Sequence, residues 1–261
     1  MHRRKYTLRK QKHDHRDYHF HKLVMERSLA TTNLPPTVSN RKYVSYVQDQ
    51  LDLGSCTANA WAGLLQYNRC KNGFGGKKYR DVSRNFIYYN ERLLEGTVNQ
   101  DAGAELRSGA KTLSSYGVCN EGEWKYNTSE FTTKPSDACY KHALYYKNNS
   151  YYALNSLNDM KSCIAAGQCF VFGFLVYSSF ESILVSETGI VPMPKRRERL
   201  LGGHAVMAIG YDDISQRFLV KNSWGKNWGI HEGNLGGYFT MPYTYISNPG
   251  LAWDFWTIPL G

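Results

Sequence analysis

The sequence lacks a long hydrophobic run. Among its 261 residues the longest apolar stretch is the segment 169–177, whereas a helix that spans a bilayer needs about 20 apolar residues. We therefore expect no membrane span and no membrane partner. Hydrophobic residues make up 42% of the chain and charged residues 21%. This balance excludes wholesale disorder and predicts a globular protein with one large domain or two lobes.

The sequence also lacks the features of a secreted protein. Its first residues are charged throughout and contain no apolar core of the about 7–15 residues that a signal peptide requires. The acidic residues Asp14, Asp17 and Glu26 argue against a mitochondrial presequence. The six cysteines form no CxxC pair, and no Cys/His cluster has zinc-finger spacing, so we expect no metal site. Three disulfides are arithmetically possible, but without a secretory signal we expect mostly reduced thiols.

The positive charge is concentrated at one end of the chain. The formal net charge is +10, and residues 1–27 supply +6 of it, with nine Lys or Arg against three Asp or Glu. Five of the eight histidines lie in the same stretch. The prolines Pro35 and Pro36 then mark a change, because proline disfavours helix and favours an extended chain. We interpret residues 1–33 as a basic N-terminal tail.

The spacing of apolar residues changes about half-way along the chain. In 55–68, Ala60, Trp61, Leu64 and Leu65 follow the spacing of an amphipathic helix. Further helices are predicted at 86–94, 104–116 and 154–166, and strands at 170–177, 204–211, 218–221 and 237–241. A helical part followed by a β-rich part is an α+β arrangement, for which we expect a cleft between two lobes.

Three short segments carry residue types that are used in catalysis: Gln50–Cys56, Gly202–Val206 and Lys221–Gly225. Each segment alone is weak evidence for a catalytic site, because a cysteine at the start of a helix is usually just a buried residue and a histidine after two glycines more often has a structural role. Their order is more informative. Cys56, then His204 about 150 residues later, and then Asn222 form the general arrangement of a Cys-His-Asn hydrolase.

Each of these residue types has a distinct chemical role in such a hydrolase. A thiol with a pKa of about 8.5 is mostly protonated at neutral pH, and the positive end of a helix that starts at Cys56 favours the thiolate. His204 favours it further as an imidazolium and can protonate the leaving amine. Asn222 would fix the tautomer of the imidazole. The side-chain amide of Gln50 can donate to the developing oxyanion, beside the backbone N–H of Cys56.

With these motifs the sequence resembles the papain-like cysteine peptidases, the cathepsin family. The resemblance covers about residues 34–245 and includes Gln50–Cys56, Gly203-His204-Ala205 and Asn222-Ser223-Trp224-Gly225. It implies an α+β, papain-like fold with a helical left lobe, an antiparallel β-barrel right lobe and the active-site cleft between them. It also implies a thiol endopeptidase that acts on protein or peptide substrates through an acyl-enzyme intermediate, without a cofactor.

The resemblance further assigns substrate-binding residues. Gly103 and Ala104 lie where the family has glycines that pair with the substrate backbone at the second and third positions before the scissile bond. Gly203 adjoins the catalytic histidine and would also bind substrate. The indole of Trp224 would shield the hydrogen bond between His204 and the asparagine from water.

The chain departs from the usual family pattern next to the nucleophile. The family has a cysteine three residues before the nucleophile and a tryptophan directly after it, where this chain has Leu53 and Thr57. The usual disulfide is therefore absent, which resembles the non-secreted bacterial and viral branch. We expect a cytoplasmic protein, located in the host cytoplasm or the virion if it is viral. No His-rich insertion of the exopeptidase type is visible, which favours endopeptidase action.

The resemblance divides the chain into the tail, 1–33, and a peptidase domain, 34–261. Within the domain we expect a mainly helical lobe at about 50–126, a mainly β lobe at about 127–245 and a C-terminal extension at 246–261.

Three hypotheses account for the tail, which is shorter than the usual inhibitory prosegment of the family. It is a solvated extension, a short prosegment that blocks the cleft and is cut near Leu34, or an anchor for nucleic acid or another polyanion. Tyr6, Tyr18 and Phe20, interleaved with basic residues, suit the last hypothesis.

Two functions other than that of a peptidase stay open. The chain would alternatively be a catalytically silent protein that binds polyanions or serves as a virion component through its tail, or a transferase that uses the same triad.

A second run of basic residues lies at 195–199, shortly before His204. It is either a solvated loop, a determinant for acidic substrates or a site of self-cleavage.

Overall fold

A computed structural model of the protein describes residues 4–26, 33–44, 46–74, 81–232 and 235–259. The α-helices of these residues are α1 (Phe20–Glu26), α2 (Cys56–Arg69), α3 (Arg84–Leu94), α4 (Leu106–Ser115), α5 (Asp137–Ala143), α6 (Leu157–Ala165), α7 (Ile183–Thr188) and α8 (Tyr243–Ile246). The strands are β1 (Thr37–Ser39), β2 (Tyr152–Ala153), β3 (Phe170–Tyr177), β4 (Leu200–Asp212), β5 (Arg217–Lys221), β6 (Ile230–Glu232), β7 (Leu235–Pro242) and β8 (Ala252–Thr257). The predicted order of a helical part followed by a β-rich part is confirmed.

Short polar side chains and glycines set the ends of the helices. The Oγ of Ser83 accepts the backbone N–H of Phe86 at 3.1 Å and caps α3, and serines cap α5, α6 and α7 in the same way. After α6 the chain turns at Gly167, whose φ of +73° is easily adopted only by glycine. The helices predicted at 55–68, 86–94, 104–116 and 154–166 correspond to α2, α3, α4 and α6.

The strands form one antiparallel sheet, and its pairing positions the catalytic candidates. The order is β2-β8-β3-β4-β5-β7-β6, with β1 paired to β4. His204 lies in β4 opposite Phe174 of β3. On the other side of β4, Met207 pairs with Lys221, the last residue of β5. Asn222 therefore follows a strand that is hydrogen-bonded to the strand of His204.

The last residues of the chain belong to the sheet. The segment 246–261 was expected as an extension of the domain, but it supplies β8, which lies between β2 and β3. Its indole side chains Trp253 and Trp256 are buried, and removal of such large apolar surfaces from water stabilises the pairing. The described part of this segment is therefore an integral part of the β-rich lobe.

Two groups of buried apolar side chains form the cores of the two lobes. One group surrounds α2 and includes Trp61, and the other lies on the sheet and includes Phe172. The basic tail contributes to both, with Leu8 in the first group and Phe20 and Leu23 in the second. The tail is therefore packed onto the body and is not a solvated extension.

No described helix combines the length and the apolar character that crossing a membrane requires. All six cysteines, each within the described ranges, are free thiols.

Candidate active site

Cys56 is the first residue of α2 and is fully buried. The positive end of the dipole of this 14-residue helix lies at the thiol. The backbone N–H groups of Ala205 and Thr57 form hydrogen bonds with the sulfur, which favour the thiolate. Because Ala205 directly follows His204 in β4, this contact holds the thiol next to the catalytic histidine candidate.

Asn222 fixes the imidazole of His204. The Nε2 of His204 lies 2.8 Å from the Oδ1 of Asn222. The backbone N–H of Ser223 donates to the same oxygen at 2.9 Å, so this atom is an acceptor and Nε2 carries the hydrogen. The basic nitrogen is then Nδ1, which is buried and has no hydrogen-bond partner among the described residues. It is the nitrogen that can take the proton of Cys56.

The indole of Trp224 covers one face of the imidazole. Its ring stacks on that of His204, with centroids 5.1 Å apart and planes at 26°. Phe180 and Trp228 pack edge-on against the same indole, at 5.2 and 4.9 Å. This cluster keeps water from one face of the imidazole, which is the role expected of Trp224.

Gln50 is held from both lobes. Its Nε2 donates to the carbonyl of Leu53 at 3.1 Å, and its Oε1 accepts the hydroxyl of Ser223 at 2.7 Å. Leu53 lies three residues before Cys56, and Ser223 directly follows Asn222. The side-chain amide has two hydrogens, so one of them is left to donate to an oxyanion at Cys56.

The predicted substrate-binding glycines contact the tail of the chain itself. Gly103 has a φ of +68°, and any Cβ at this position would collide with the carbonyl of Thr7. The carbonyl of Gly203 accepts the backbone N–H of Leu8 at 3.2 Å. Ala104 lies fully buried beside Gly103. The site where a substrate backbone is expected is thus occupied by the chain's own backbone.

Residues 4–11, which we call the tail strand, cross the catalytic residues. The guanidinium carbon of Arg4 lies 3.9 Å from the centroid of Trp224, and the ring of Tyr6 contacts that of His204 edge-on. Three contacts with carboxylates of the body fix the strand: Tyr6 with Glu181, Lys5 with Asp101 and Arg9 with Glu95. Two cations of the basic tail, Lys5 and Arg9, are thereby paired with carboxylates of the body.

A second part of the tail is packed into the β-rich lobe. Phe20 and Leu23, both in α1, are 0% and 2% exposed. The carbonyl of Tyr18 accepts the backbone N–H of Ala153 in β2 at 2.7 Å. We call residues 18–26 the tail anchor. It attaches the tail strand to the body independently of the contacts in the cleft.

Burial moves both catalytic candidates toward their uncharged forms. It raises the pKa of the Cys56 thiol to about 12 and lowers the pKa of the His204 imidazole to about 4. The hydrogen bond to Asn222 opposes the second shift, and the cation of Arg4 adds to it. With the tail strand in place, the stable pair is therefore a neutral thiol and a neutral imidazole.

Sequence reasoning missed the path of the tail and a buried acid beneath the nucleophile. Tyr6 and Leu8 alternate with polar residues, which is the period of a strand and could have indicated one. The acid is Glu91, whose Oε2 accepts the hydroxyl of Thr57 at 2.7 Å. It lies within a helix rich in aromatic and charged residues, where no local pattern marks it.

The chain is similar to papain-family proteins over most of its length. The family described as papain family cysteine protease matches residues 34–251. An uncharacterised peptidase C1-like protein of Acanthamoeba polyphaga mimivirus is 41% identical over 276 residues, which cover 95% of this chain and 85% of that protein. A cathepsin L-like proteinase of Fasciola hepatica is 26% identical and is covered over 60% of its length, against 80% of this chain.

Solved structures of cysteine proteases share the fold. Xylellain, a cysteine protease from Xylella fastidiosa, aligns with a TM-score of 0.87 and 40% identity, covering 99% of this chain and 98% of xylellain. A digestive procathepsin L2 proteinase from the larval midgut of Tenebrio molitor aligns with a TM-score of 0.72 and 20% identity, over 98% of this chain and 78% of its own. The second likeness concerns the fold alone. The viral and bacterial relatives confirm the branch that the sequence resembles. The matched family and these identities show that the chain belongs to the papain family of cysteine proteases and is a hydrolase that acts on proteins.

Proposed function

We propose that the protein is an endopeptidase in which Cys56 is the nucleophile and His204 the general base and acid. The observation that carries the proposal is the hydrogen bond from Nε2 of His204 to Asn222, which leaves Nδ1 as the basic nitrogen. The helix that starts at Cys56 and the shielding stack of Trp224 support the same assignment.

In the first half of the reaction the thiol proton of Cys56 moves to Nδ1 of His204. The thiolate attacks the carbonyl carbon of the scissile bond, and the negative charge moves to the carbonyl oxygen. The backbone N–H of Cys56 and the free amide hydrogen of Gln50 donate to that oxygen; loss of one such donor costs about 10²–10³ in kcat. The C–N bond then breaks, the imidazolium protonates the leaving amine, and a thioester remains.

In the second half a water molecule replaces the amine. His204 takes a proton from the water, which attacks the thioester carbonyl. The C–S bond breaks, a carboxylic acid leaves, and the thiol of Cys56 is regenerated with the proton held by the imidazole. Asn222 keeps the ring in one orientation throughout, so the same nitrogen serves both halves.

The tail is proposed to be a self-inhibitory segment. The tail strand lies on the glycines that would bind a substrate, and Cys56 and His204 are completely buried with it in place. It also excludes water, which destabilises the thiolate and imidazolium forms needed for attack. The strand therefore blocks the reaction in two ways: it occupies the cleft, and it keeps Cys56 and His204 in their uncharged forms.

The direction of the tail strand explains why it is not a substrate. By the family resemblance Gly103 faces the residues before the scissile bond, so a substrate runs from there past His204 toward Trp224. The tail places its residues in the reverse order: Arg4 on Trp224, Tyr6 beside His204 and Thr7 on Gly103. A reversed backbone does not present a peptide carbonyl to Cys56 in the productive orientation.

The polyanion hypothesis has less support. Lys5 and Arg9, two cations of the tail, pair with carboxylates of the body. A polyanion would have to break these contacts, whereas inhibition uses them.

The function is tested with the full chain carrying Leu8→Asp, which replaces a buried leucine of the tail strand and should make Cys56 accessible, together with an internally quenched peptide and an epoxide that alkylates active-site thiols. We expect turnover of the peptide and one covalent label, both lost in Cys56→Ala. Persistence of turnover in that variant would overturn the assignment. With an added amine nucleophile at low concentration, hydrolysis should remain the main fate of the acyl-enzyme; transfer to the amine that predominates over hydrolysis would indicate the transferase alternative.

A further inference from the structure

A strongly basic turn lies at the edge of the cleft. Residues 195–199 connect into β4, and their four cationic side chains are all exposed: Lys195, Arg196, Arg197 and Arg199. None of the ion pairs among the described residues involves any of the four. We call this segment the basic turn. Its charge is available to a partner outside the chain.

The one acidic residue of the basic turn is used to fix it in place. The carboxylate of Glu198 accepts the backbone N–H of Ser179 at 2.5 Å and that of Lys195 at 2.8 Å. These bonds hold the pKa of Glu198 below its usual value, against the effect of its burial. The carbonyl of Arg199 also accepts the backbone N–H of Ser178, at 2.9 Å. The basic turn is therefore attached to the short 3-10 helix Ser178–Glu181.

That 3-10 helix contacts the indole that stacks on His204. Phe180 packs on Trp224 with centroids 5.2 Å apart, and Trp224 stacks on His204. The next residue, Glu181, accepts the hydroxyl of Tyr6 from the tail strand. The basic turn is thus separated from the imidazole by one short helix and one indole ring.

The basic turn lies on the leaving-group side of the cleft. The tail strand shows the order of the subsites, because Thr7 lies on Gly103, Tyr6 beside His204 and Arg4 on Trp224. Since Gly103 faces residues before the scissile bond, the Trp224 end faces those after it. The 3-10 helix Ser178–Glu181 contacts both Trp224 and Tyr6, so it forms the rim over which the residues after the scissile bond leave the cleft.

We propose that the basic turn selects substrates with acidic residues a few positions after the scissile bond. This inference rests on the proposed endopeptidase function and adds a substrate class to it. An acidic side chain near the rim meets several exposed cations, while the only carboxylate of the basic turn is occupied by backbone N–H groups. Exposed ion pairs contribute modestly and are screened by salt. We therefore expect a preference of about three- to tenfold in kcat/KM, weakened at high ionic strength.

The test compares two quenched peptides that are identical up to the scissile bond. One carries Asp-Glu-Asp at the second to fourth positions after it and the other Asn-Gln-Asn. Both peptides must displace the same tail strand from the full chain, so the ratio of their kcat/KM values is independent of that displacement. We expect a ratio of about three to ten at low salt, falling toward one in R196Q/R197Q and in about 0.5 M NaCl. The control K141Q/K147Q removes two exposed lysines, one in α5 and one just after it, and should keep the wild-type ratio.

The outcomes separate this inference from the function on which it rests. Equal cleavage of both peptides by the wild-type chain overturns the acidic preference alone. Cleavage of neither, by the wild-type chain or by Leu8→Asp, in which the tail strand should be released, overturns the proposed function and the preference with it. An unchanged ratio in R196Q/R197Q overturns the role of the basic turn. A single-stranded oligonucleotide is included as a competitor. Its binding to the turn, without discrimination between the peptides, would identify a nucleic-acid surface and overturn the proposal.

Discussion

The phenol ring of Tyr6 meets the imidazole of His204 edge-on, with centroids 6.3 Å apart and ring planes at 88°. The same ring lies 6.2 Å from that of Trp224, and its hydroxyl binds the carboxylate of Glu181. One tail residue therefore contacts the proposed catalytic base, the indole stacked on it and the rim of the cleft. If the tail inhibits as proposed, activation requires that this contact opens, and the remaining contacts of the tail determine how easily it does so.

Replacing Leu8 by aspartate should release the tail strand and raise peptidase activity at least about tenfold. Leu8 is 6% exposed and packs against Gly173 and Trp253. In the bound tail strand a carboxylate at this position would lose its hydration without gaining a partner. The free-energy cost exceeds the about 1.4 kcal/mol that corresponds to a tenfold shift of the equilibrium from bound to released tail strand. The initial rate on a quenched peptide measures the effect. Arg16→Gln, which alters an exposed tail residue that forms an ion pair with its neighbour Asp14, serves as the control. A folded Leu8→Asp protein with unchanged activity would show that the strand does not limit the reaction.

Replacing Phe20 by alanine should lower the free energy of unfolding by about 3–5 kcal/mol, the usual cost of deleting a buried phenylalanine. Its ring is fully buried in the core of the β-rich lobe. Urea unfolding followed by tryptophan fluorescence measures the change. For the same reason, deletion of residues 1–33 should destabilise the protein more than deletion of 1–11, which leaves the tail anchor. Equal stability of the two truncated forms would contradict the role of the anchor.

The catalytic candidates could be predicted from the sequence, because their chemistry depends on residue types and on the order of those residues along the chain. Cys56, His204 and Asn222 come together as the order of the motifs indicated. The path of the tail could not be predicted from the sequence, because its contacts join positions that are far apart in the chain. For example, Gln11 donates its backbone N–H to Asp254, 243 residues away. The alternation at Tyr6 and Leu8 could indicate a strand, but the partners of that strand follow from tertiary packing, which no local pattern shows.

The strand β8 was missed for a local reason. Asp254 has a φ of +57°, which interrupts the alternation of an ideal strand. The pairing of β8 with β3 also shifts register between Val171 and Gly173. Buried and half-buried positions consequently occur in pairs along β8, and Asp254 interrupts its sequence, so this strand lacks the continuous apolar run that indicated β3 and β4.

The buried lysine Lys221 should make stability depend on pH between about 7 and 10. Burial lowers its pKa to about 7, whereas an unfolded lysine titrates at about 10.4. Between these values the unfolded chain binds more protons, so the free energy of unfolding rises with pH by up to about 1.4 kcal/mol per unit. The cost of the buried charge is fully present below pH 7. Urea midpoints of wild type and Lys221→Met, measured from pH 6 to 9, should therefore diverge, with the steeper rise in wild type. Lys147→Met, at an exposed position, should follow wild type, and parallel curves for Lys221→Met would refute the assignment.

The contact between Thr57 and Glu91 predicts an effect on the reactivity of the nucleophile. Glu91 is fully buried beneath the first turn of α2, and burial raises its pKa well above the usual value of a carboxyl group. This shift favours the uncharged carboxyl, which accepts the hydroxyl of Thr57. Once ionised, Glu91 would raise the pKa of Cys56 and oppose the thiolate.

Glu91→Gln should therefore change the pH profile and leave the neutral-pH rate of thiol alkylation nearly unchanged. The glutamine oxygen still accepts the hydroxyl of Thr57, but the side chain cannot ionise. At alkaline pH the parent protein should lose reactivity relative to the variant, because only its residue 91 acquires a charge near the sulfur. The measurement uses iodoacetamide and the Leu8→Asp background, in which Cys56 is accessible. Thr57→Val removes the hydrogen bond to Glu91 but keeps the carboxyl group. We expect it to lower the alkylation rate at every pH without changing the shape of the pH profile. This result would separate the effect of the hydrogen bond on the position of Cys56 from the effect of the charge of Glu91. Identical profiles for the parent and Glu91→Gln would show that Glu91 stays uncharged or does not influence the thiolate.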